Sequence, residues 1–182
     1  MAPPQYALVA YVKSPVGGFV EGLRREFHPT QAHLPAHLSI LPPRVLQGSE
    51  AEALATVERT CRDVEPFEIV LGEVATFVPV TPTVFIRVAH AGYRLRELHD
   101  RLNLGVLGAE EQWPYMPHLT IFRMDTAEQA EPALEEARRR WEKYLDSRRV
   151  LIEQLTFVRE AGDNRWMDLA PVPLGRRLAP TR

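Results

Sequence analysis

The chain has 182 residues, of which 45% are hydrophobic and 25% are charged, as in an ordinary soluble globular protein. Its 22 basic and 24 acidic residues give a net charge of −2, which excludes a bulk positive field able to recruit long nucleic acid. The single cysteine excludes an internal disulfide, and without a signal peptide or an apolar run of roughly 18 residues we expect a cytoplasmic protein with no membrane segment.

The first quarter of the chain predicts a strand, a short helix and a second strand. Residues 5–12 are rich in Tyr, Leu and Val, which favours a strand that ends at Pro15. Apolar residues at helical spacing then predict a short helix closed by His28-Pro29, namely Phe19, Val20, Leu23 and Phe27. The second strand begins at His37, and we expect Pro42 and Pro43 to stop it.

A helix and two strands complete the first half. Ser49 and Glu52 form a capping-box pattern at the start of this helix. Its apolar stripe continues through Leu54, Val57, Cys61 and Val64. Residues 67–77 and 83–88 then predict two strands separated by a proline-containing turn.

The second half repeats much of this order, with a helix over 92–103, a loop over 105–117 and a strand over 118–123. A long helix is expected at about 130–146, facing inward with Leu134, Ala137, Trp141 and Leu145. Because Pro132 fits only in the first turn of that helix, we interpret the capping-box match of Thr126 and Gln129 as false. Strands at about 149–159 and 165–170 follow, and residues from about 172 to 182 are expected to be flexible.

Two of these strands carry nearly the same sequence, His37-Leu38-Ser39-Ile40-Leu41 and His118-Leu119-Thr120-Ile121-Phe122. Side chains two residues apart in a strand point to the same face, so each copy presents an imidazole beside a hydroxyl. The copies stand about half a chain apart, which indicates a duplicated unit that forms a pseudo-symmetric cleft. Strands mixed with helices that pack outside them predict an α+β fold.

Two imidazoles and two hydroxyls in one groove suit acid–base chemistry on a phosphate. Histidine has an ordinary pKa near 6.5, so one ring can accept a proton while the other donates one. The hydroxyls of Ser39 and Thr120 can donate hydrogen bonds to the non-bridging phosphate oxygens. The alternative is that both histidines are core residues and that the short motif recurs by chance.

The doubled motif resembles that of the 2H phosphoesterase superfamily, which includes bacterial 2′-5′ RNA ligase-like proteins and cyclic nucleotide phosphodiesterases. The likeness covers nearly the whole chain, although Ser39 stands where threonine is common. It implies one bilobal domain over residues 1–182, with two pseudo-symmetric lobes, each an antiparallel sheet with helices packed outside, around a central cleft. His37 and His118 match the catalytic histidines of that superfamily, and Ser39 and Thr120 match its phosphate-holding hydroxyls.

Three further residues are candidate substrate contacts: Arg123, Tyr115 and Arg44. Arg123 matches a basic residue that often follows the second motif. It lies an odd number of residues after His118, so in a regular strand its side chain points away from the cleft, unless the strand bulges or ends there. Tyr115 and Trp113 suit stacking on a base or anchoring a loop, and both interpretations stay open. Arg44 is equally compatible with a structural role.

The resemblance implies hydrolysis of 2′,3′-cyclic phosphate or 2′-5′ phosphodiester bonds in nucleotides or RNA ends, with reverse 2′-5′ ligation in some members. We expect a monomer that needs no cofactor and no metal. A metal site formed by His28, His33 and His37 is not expected. Pro29 and Pro35 prevent the helical i, i+4 geometry, and no cysteine or acidic residue lies between these histidines in the sequence. The alternatives are a non-catalytic module that binds nucleotides or RNA ends in the same cleft, and a metal-dependent hydrolase.

Overall fold

The computed structural model describes residues 3–175, which form an eight-stranded antiparallel sheet and four α-helices. In chain order these are β1 (Tyr6–Tyr11), α1 (Pro15–Phe27), β2 (His37–Arg44), α2 (Glu50–Arg62), β3 (Phe67–Thr76), β4 (Thr83–His90), α3 (Gly92–Leu102), β5 (His118–Arg123), α4 (Ala127–Glu142), β6 (Arg149–Ile152), β7 (Gln154–Glu160) and β8 (Trp166–Pro173). None of these helices is long and apolar enough to cross a membrane.

The strand order β6-β3-β4-β5-β2-β1-β7-β8 places the two histidine-bearing strands, β2 and β5, at the centre of the sheet. The run β1-α1-β2-α2-β3 corresponds to β4-α3-β5-α4-β7. The last strand of each run pairs with the first strand of the other run: β3 lies beside β4, and β7 lies beside β1. The α+β fold with two pseudo-symmetric halves is therefore confirmed, and the halves exchange strands across the pseudo-symmetry axis.

The main hydrophobic core lies between the helices and one face of the sheet. Leu38 and Ile40 of β2 and Leu119 and Ile121 of β5 belong to this core, together with the apolar stripes of all four helices. The residues between them on each strand point to the opposite face, because side chains alternate along a strand. Packing the leucine and isoleucine of each repeat therefore turns the histidine and hydroxyl of that repeat away from the core.

Two helices begin earlier than predicted. Helix α1 begins at Pro15, where proline fits the first helical position. Its close approach to β1 requires a glycine at position 17, because a Cβ there would lie 1.9 Å from the Val12 carbonyl oxygen. Helix α4 begins at Ala127 and ends at Glu142, so Leu145 lies beyond it and is 96% exposed rather than inward.

The capping box that we had interpreted as false is present. Thr126 Oγ1 accepts a hydrogen bond from the Gln129 backbone amide, and the Gln129 side-chain oxygen accepts one from the Thr126 backbone amide, each at 3.3 Å. The prediction failed because Pro132 lies in the second turn of α4 and the helix still forms around it. Proline at that position removes a single backbone donor, and the buried face that includes Leu134 and Trp141 offsets this loss.

Three strand predictions also need correction. Strand β2 continues through Pro42 and Pro43 to Arg44, because its pairing with β1 is irregular there and does not need every amide donor. The strand expected over 149–159 is split at Glu153 into β6 and β7, which pair at opposite ends of the sheet. Strand β8 extends to Pro173, so the tail predicted to be flexible is ordered at its start, and residues 176–182 lie outside the described residues.

Candidate active site

Strands β2 and β5 meet at one backbone pair, Leu38 and Leu119. Both leucine side chains are buried in the main core. In an antiparallel ladder, residues directly opposite each other share a face, and the residues on either side of them point to the other face. The histidine of each strand therefore lies opposite the hydroxyl residue of the other strand, on the face away from the helices.

Four side chains consequently form a square on this face, with His37 opposite Thr120 and Ser39 opposite His118. All four are half-buried rather than sealed in the core. Diagonal neighbours in such a ladder lie about 7–8 Å apart, with their Cβ atoms somewhat closer, and this separation leaves room for a phosphate between the two imidazoles. The two strands are neighbours in one sheet instead of facing each other across a groove.

Backbone carbonyls hold both imidazoles in the same orientation. His37 Nδ1 lies 2.8 Å from the Pro35 oxygen, and His118 Nδ1 lies 2.7 Å from the Met116 oxygen. A carbonyl oxygen can only accept, so each Nδ1 carries hydrogen and donates it. In the neutral ring Nε2 is then the basic nitrogen.

Burial lowers the pKa of both histidines below its ordinary value. The hydrogen bonds to Pro35 and Met116 partly oppose this effect by favouring the charged rings. For His37, the positive charges of Arg24 and His118 lower the pKa further. The neutral imidazole is therefore favoured at both positions.

The aromatic surroundings of the two histidines differ. Phe77 and Phe85 each form a T-shaped contact with His118, with ring centroids 5.0 and 5.2 Å apart. His37 forms a T-shaped contact with Tyr11, with ring centroids 6.5 Å apart. The Tyr11 hydroxyl donates a hydrogen bond of 2.5 Å to the Asp168 carboxylate. The pseudo-symmetric strands thus present equivalent imidazoles in different environments.

Two cavities border the histidines, one beside each imidazole. A cavity of about 750 Å³ lies on the His118 side, and its lining includes Trp113, Tyr115 and Thr120. A smaller one of about 210 Å³ lies on the His37 side, and its lining includes Tyr11 and Trp166. Ser39 lines both cavities. A phosphate seated at Ser39 would have open space on either side for the groups it joins.

A β-bulge brings Arg123 to the face of the cleft. Thr120 pairs with Phe85 and Arg123 pairs with Thr83, so Ile121 is the extra residue in β5. Phe85 and Thr83 are two apart on β4 and share a face, so Arg123 lies on the same face as Thr120. The exposed Arg123 lines the larger cavity. Alternation along a regular strand predicts that Arg123 points away from the cleft, and this prediction is wrong because the extra residue shifts the alternation by one position.

Tyr115 anchors the loop before β5 to strand β2. Its hydroxyl donates a hydrogen bond of 2.9 Å to the Ser39 carbonyl, and its ring stacks on His99 with centroids 4.2 Å apart. Burial raises the pKa of the phenol, which keeps it protonated and able to donate. One face of the ring is covered by His99, so only the remaining surface is available to the cavity.

The Arg44 side chain is hydrogen-bonded to other groups of the protein. Its guanidinium donates to the carbonyls of Pro42 and Leu107, to the side-chain oxygen of Asn103 and to the carboxylate of Glu111. Its side chain is 3% exposed. These contacts fasten the loop after α3 to the end of β2, and they remove Arg44 from the candidate substrate contacts.

Sequence reasoning missed Tyr11 and Trp166 on the His37 side. The signal for Tyr11 was the alternation of β1, in which Ala7, Val9 and Tyr11 share one face. No comparable signal marked Trp166, which joins the site through the pairing of β8 with β7. Within residues 3–175, no three histidine, cysteine, aspartate or glutamate side chains are grouped so that they could hold a metal ion.

Comparisons with known proteins agree with this fold. The family model for the 2′-5′ RNA ligase superfamily matches residues 12–164. A candidate phosphoesterase of Oceanobacillus iheyensis is 28% identical over 120 residues, which cover 64% of this chain and 69% of that protein. E. coli LigT complexed with NADP+ superposes with a TM-score of 0.66 at 14% identity, over 96% of this chain and 100% of that one. TT0787 of Thermus thermophilus gives a TM-score of 0.65 at 18% identity, with the same coverage.

Proposed function

The chain belongs to the 2′-5′ RNA ligase superfamily and is a phosphoesterase of the 2H type, and from this premise we propose that it hydrolyses 2′,3′-cyclic phosphate or 2′-5′ phosphodiester bonds in nucleotides or at RNA ends. The proposed reaction uses two histidines as general acid and base and needs no metal ion. The observation that carries the proposal is the β2–β5 pair, which supports one phosphate site bordered by two imidazoles and two hydroxyls.

In the proposed reaction, neutral Nε2 of one histidine takes a proton from water as the water oxygen attacks phosphorus. The bond from phosphorus to the 2′ or 3′ oxygen of the ribose breaks, and the other histidine donates its Nε2 proton to that leaving oxygen. Each such proton transfer typically contributes about 10²–10⁴-fold to the rate. The product is a ribose phosphate monoester, and the two histidines return to their initial protonation states through solvent.

The remaining groups bind the phosphate and orient the rings. The hydroxyls of Ser39 and Thr120 donate hydrogen bonds to the non-bridging oxygens as negative charge builds on them. The bonds from Nδ1 to the Pro35 and Met116 carbonyls hold each imidazole in place and stabilise it while it is charged. In the proposed ligation, one histidine takes a proton from a ribose 5′ hydroxyl as this oxygen attacks the phosphorus of a 2′,3′-cyclic phosphate. The bond from phosphorus to the 3′ oxygen breaks, the other histidine protonates that oxygen, and a 2′-5′ bond remains.

The larger cavity suits a nucleoside on the His118 side. Arg123 supplies a positive charge there, while Trp113 and Tyr115 supply aromatic surface for a base. E. coli LigT, which shares the fold, has been solved with NADP+, ATP and 3′-AMP. These ligands support a nucleotide as the substrate class of this chain.

The test is a screen of the purified protein in the presence of EDTA. The substrates are 2′,3′-cyclic nucleotides, 2′-5′ dinucleotides and RNA with cyclic-phosphate ends, and 3′-5′ dinucleotides serve as the matched control. We expect turnover in at least one of the first three classes and none of the control. Tight binding without turnover would instead identify a binding module, and activity that EDTA abolishes would identify a metal-dependent hydrolase.

A further inference from the structure

Both central strands are irregular just after the hydroxyl residue of the motif. In β2 the extra residue is Ile40, and in β5 it is Ile121. A bulge disrupts the hydrogen-bond ladder locally, so nearby carbonyls need other donors. The carbonyl of Ser39 accepts from Tyr115, whereas the carbonyls of Thr120 and Ile121 both accept from Arg24. One bulge is therefore held by a neutral phenol and the other by a cation.

Arg24 reaches β5 from helix α1, at the back of the sheet. It is 3% exposed, and its hydrogen bonds to Ile121 and Thr120 are 2.7 and 2.8 Å long. Burial lowers the pKa of this guanidinium, and the carboxylate of Glu21 partly restores it. Burying a charge against neutral carbonyls costs several kcal/mol, so a hydrophobic residue would be the simpler choice for this position.

The same side chain also holds the segment that orients His37. A third hydrogen bond from Arg24 goes to the Leu34 carbonyl, and one turn earlier on α1 Glu21 accepts the Ala36 amide at 3.0 Å. Between these two fixed points lies Pro35, whose carbonyl accepts the Nδ1 hydrogen of His37. Helix α1 therefore binds residues 34 and 36, which flank the Pro35 carbonyl that orients the His37 ring.

We propose that Arg24 is a positioning residue for the two-histidine reaction. Its hydrogen bonds connect residues 34–36, which orient His37, to the bulge of β5, which orients Thr120. The His37 imidazole and the Thr120 hydroxyl opposite it therefore keep a fixed geometry around the phosphate. This inference rests on the proposed function. Arg24 does not touch the substrate, and it acts through the backbone of both halves.

A second consequence follows from the charge of Arg24. The charged or titratable groups around His37 are Arg24 and Glu21 from α1, His118 from β5, and Tyr11 from β1 with its partner Asp168. Removing the positive charge of Arg24 should raise the pKa of His37. The pKa of His37 therefore reports the charge of Arg24, and the fall in kcat reports its positioning role.

The experiment compares Arg24→Gln, Arg24→Lys and the control Arg25→Gln, an exposed neighbour on the same helix. For Arg24→Gln we expect kcat to fall on the order of 10- to 100-fold with KM nearly unchanged, and the limb of the kcat/KM profile that His37 sets to move to higher pH. Arg24→Lys keeps the charge but lacks the planar guanidinium, so kcat should fall less and the limb set by His37 should stay in place. Arg25→Gln should match the wild type.

Folded Arg24→Gln and Arg24→Lys variants with wild-type kcat and wild-type pH profiles would overturn the inference. If Arg24→Gln does not fold, Arg24→Lys decides alone, and wild-type kcat in that variant would overturn it. A wild-type protein that turns over none of the substrates overturns the proposed function itself. Turnover by the wild type with unaffected Arg24 variants overturns this inference only.

Discussion

The hydroxyl of Tyr115 donates a 2.9 Å hydrogen bond to the backbone carbonyl of Ser39, 76 residues earlier in the chain. Tyr115 belongs to the loop whose Met116 carbonyl orients His118. The bond therefore ties the segment that sets one histidine to the strand that carries the other. Together with Arg24, it connects the two halves at the point where the phosphate is proposed to bind.

Removing this hydroxyl should weaken the fold and the site together. In Tyr115→Phe the Ser39 carbonyl loses its donor, which should lower the free energy of unfolding by about 1–3 kcal/mol. Urea unfolding measures this change, and Tyr93→Phe is the control because Tyr93 is 64% exposed. Equal unfolding free energies for the two variants would contradict a structural role for the Tyr115 hydroxyl.

The sequence predicted the candidate site because the alternation of its two central strands is strong. In each repeat the leucine and isoleucine flanking the hydroxyl residue are buried, and this pattern alone directs the histidine and the hydroxyl to one face. The capping box at Ser49 and the apolar helix stripes likewise depend on neighbours a few residues apart. Such local patterns are visible without knowing the fold.

The features that the sequence did not reveal depend on contacts between distant residues. The bulges at Ile40 and Ile121 sit in apolar runs where the next residue is also buried, so alternation does not show an extra residue. The face of Arg123 was uncertain for that reason. The role of Arg24 was hidden because its acceptors, Leu34, Thr120 and Ile121, are backbone atoms.

Replacing the cation in the larger cavity should weaken substrate binding. We expect Arg123→Gln to raise KM about 10- to 100-fold with little change in kcat, since a charge-assisted hydrogen bond to an anionic substrate contributes about 1.5–3 kcal/mol. Added salt should reduce the difference in KM between Arg123→Gln and the wild type, because it screens the charge of Arg123. Arg62→Gln, an exposed substitution on α2, is the control. An unchanged KM for Arg123→Gln would remove this residue from the substrate contacts.

The pH dependence should favour mildly acidic conditions. Catalysis needs one histidine neutral and the other protonated, which gives a bell-shaped kcat/KM profile. Burial lowers the pKa of both rings, so the proton-donating histidine loses its proton at a lower pH than a free imidazole does. The maximum should therefore lie below about pH 6.5, and the rate should fall as the pH rises through neutrality. A maximum on the alkaline side of neutrality would contradict this expectation.

Two neighbouring glycines of α1 should respond oppositely to alanine. A Cβ at Gly17 would lie 1.9 Å from the Val12 carbonyl, whereas at Gly18 it would meet no atom within 4 Å. We expect Gly17→Ala to lower the unfolding free energy by about 1–3 kcal/mol or more, and Gly18→Ala to raise it by about 0.5–1 kcal/mol. Urea midpoints of the two variants measure this, and similar midpoints would show that α1 does not pack against the end of β1 as described.

The most direct test of the two-histidine site is the turnover of a verified substrate by His37→Ala and His118→Ala, each measured beside the wild type in EDTA. The control His90→Ala removes an exposed histidine at the end of β4, and circular dichroism checks that every variant is folded. We predict that each site variant loses at least about 10²–10⁴-fold in kcat while His90→Ala keeps the wild-type rate. A folded His37→Ala or His118→Ala variant with a rate near that of the wild type would contradict the account.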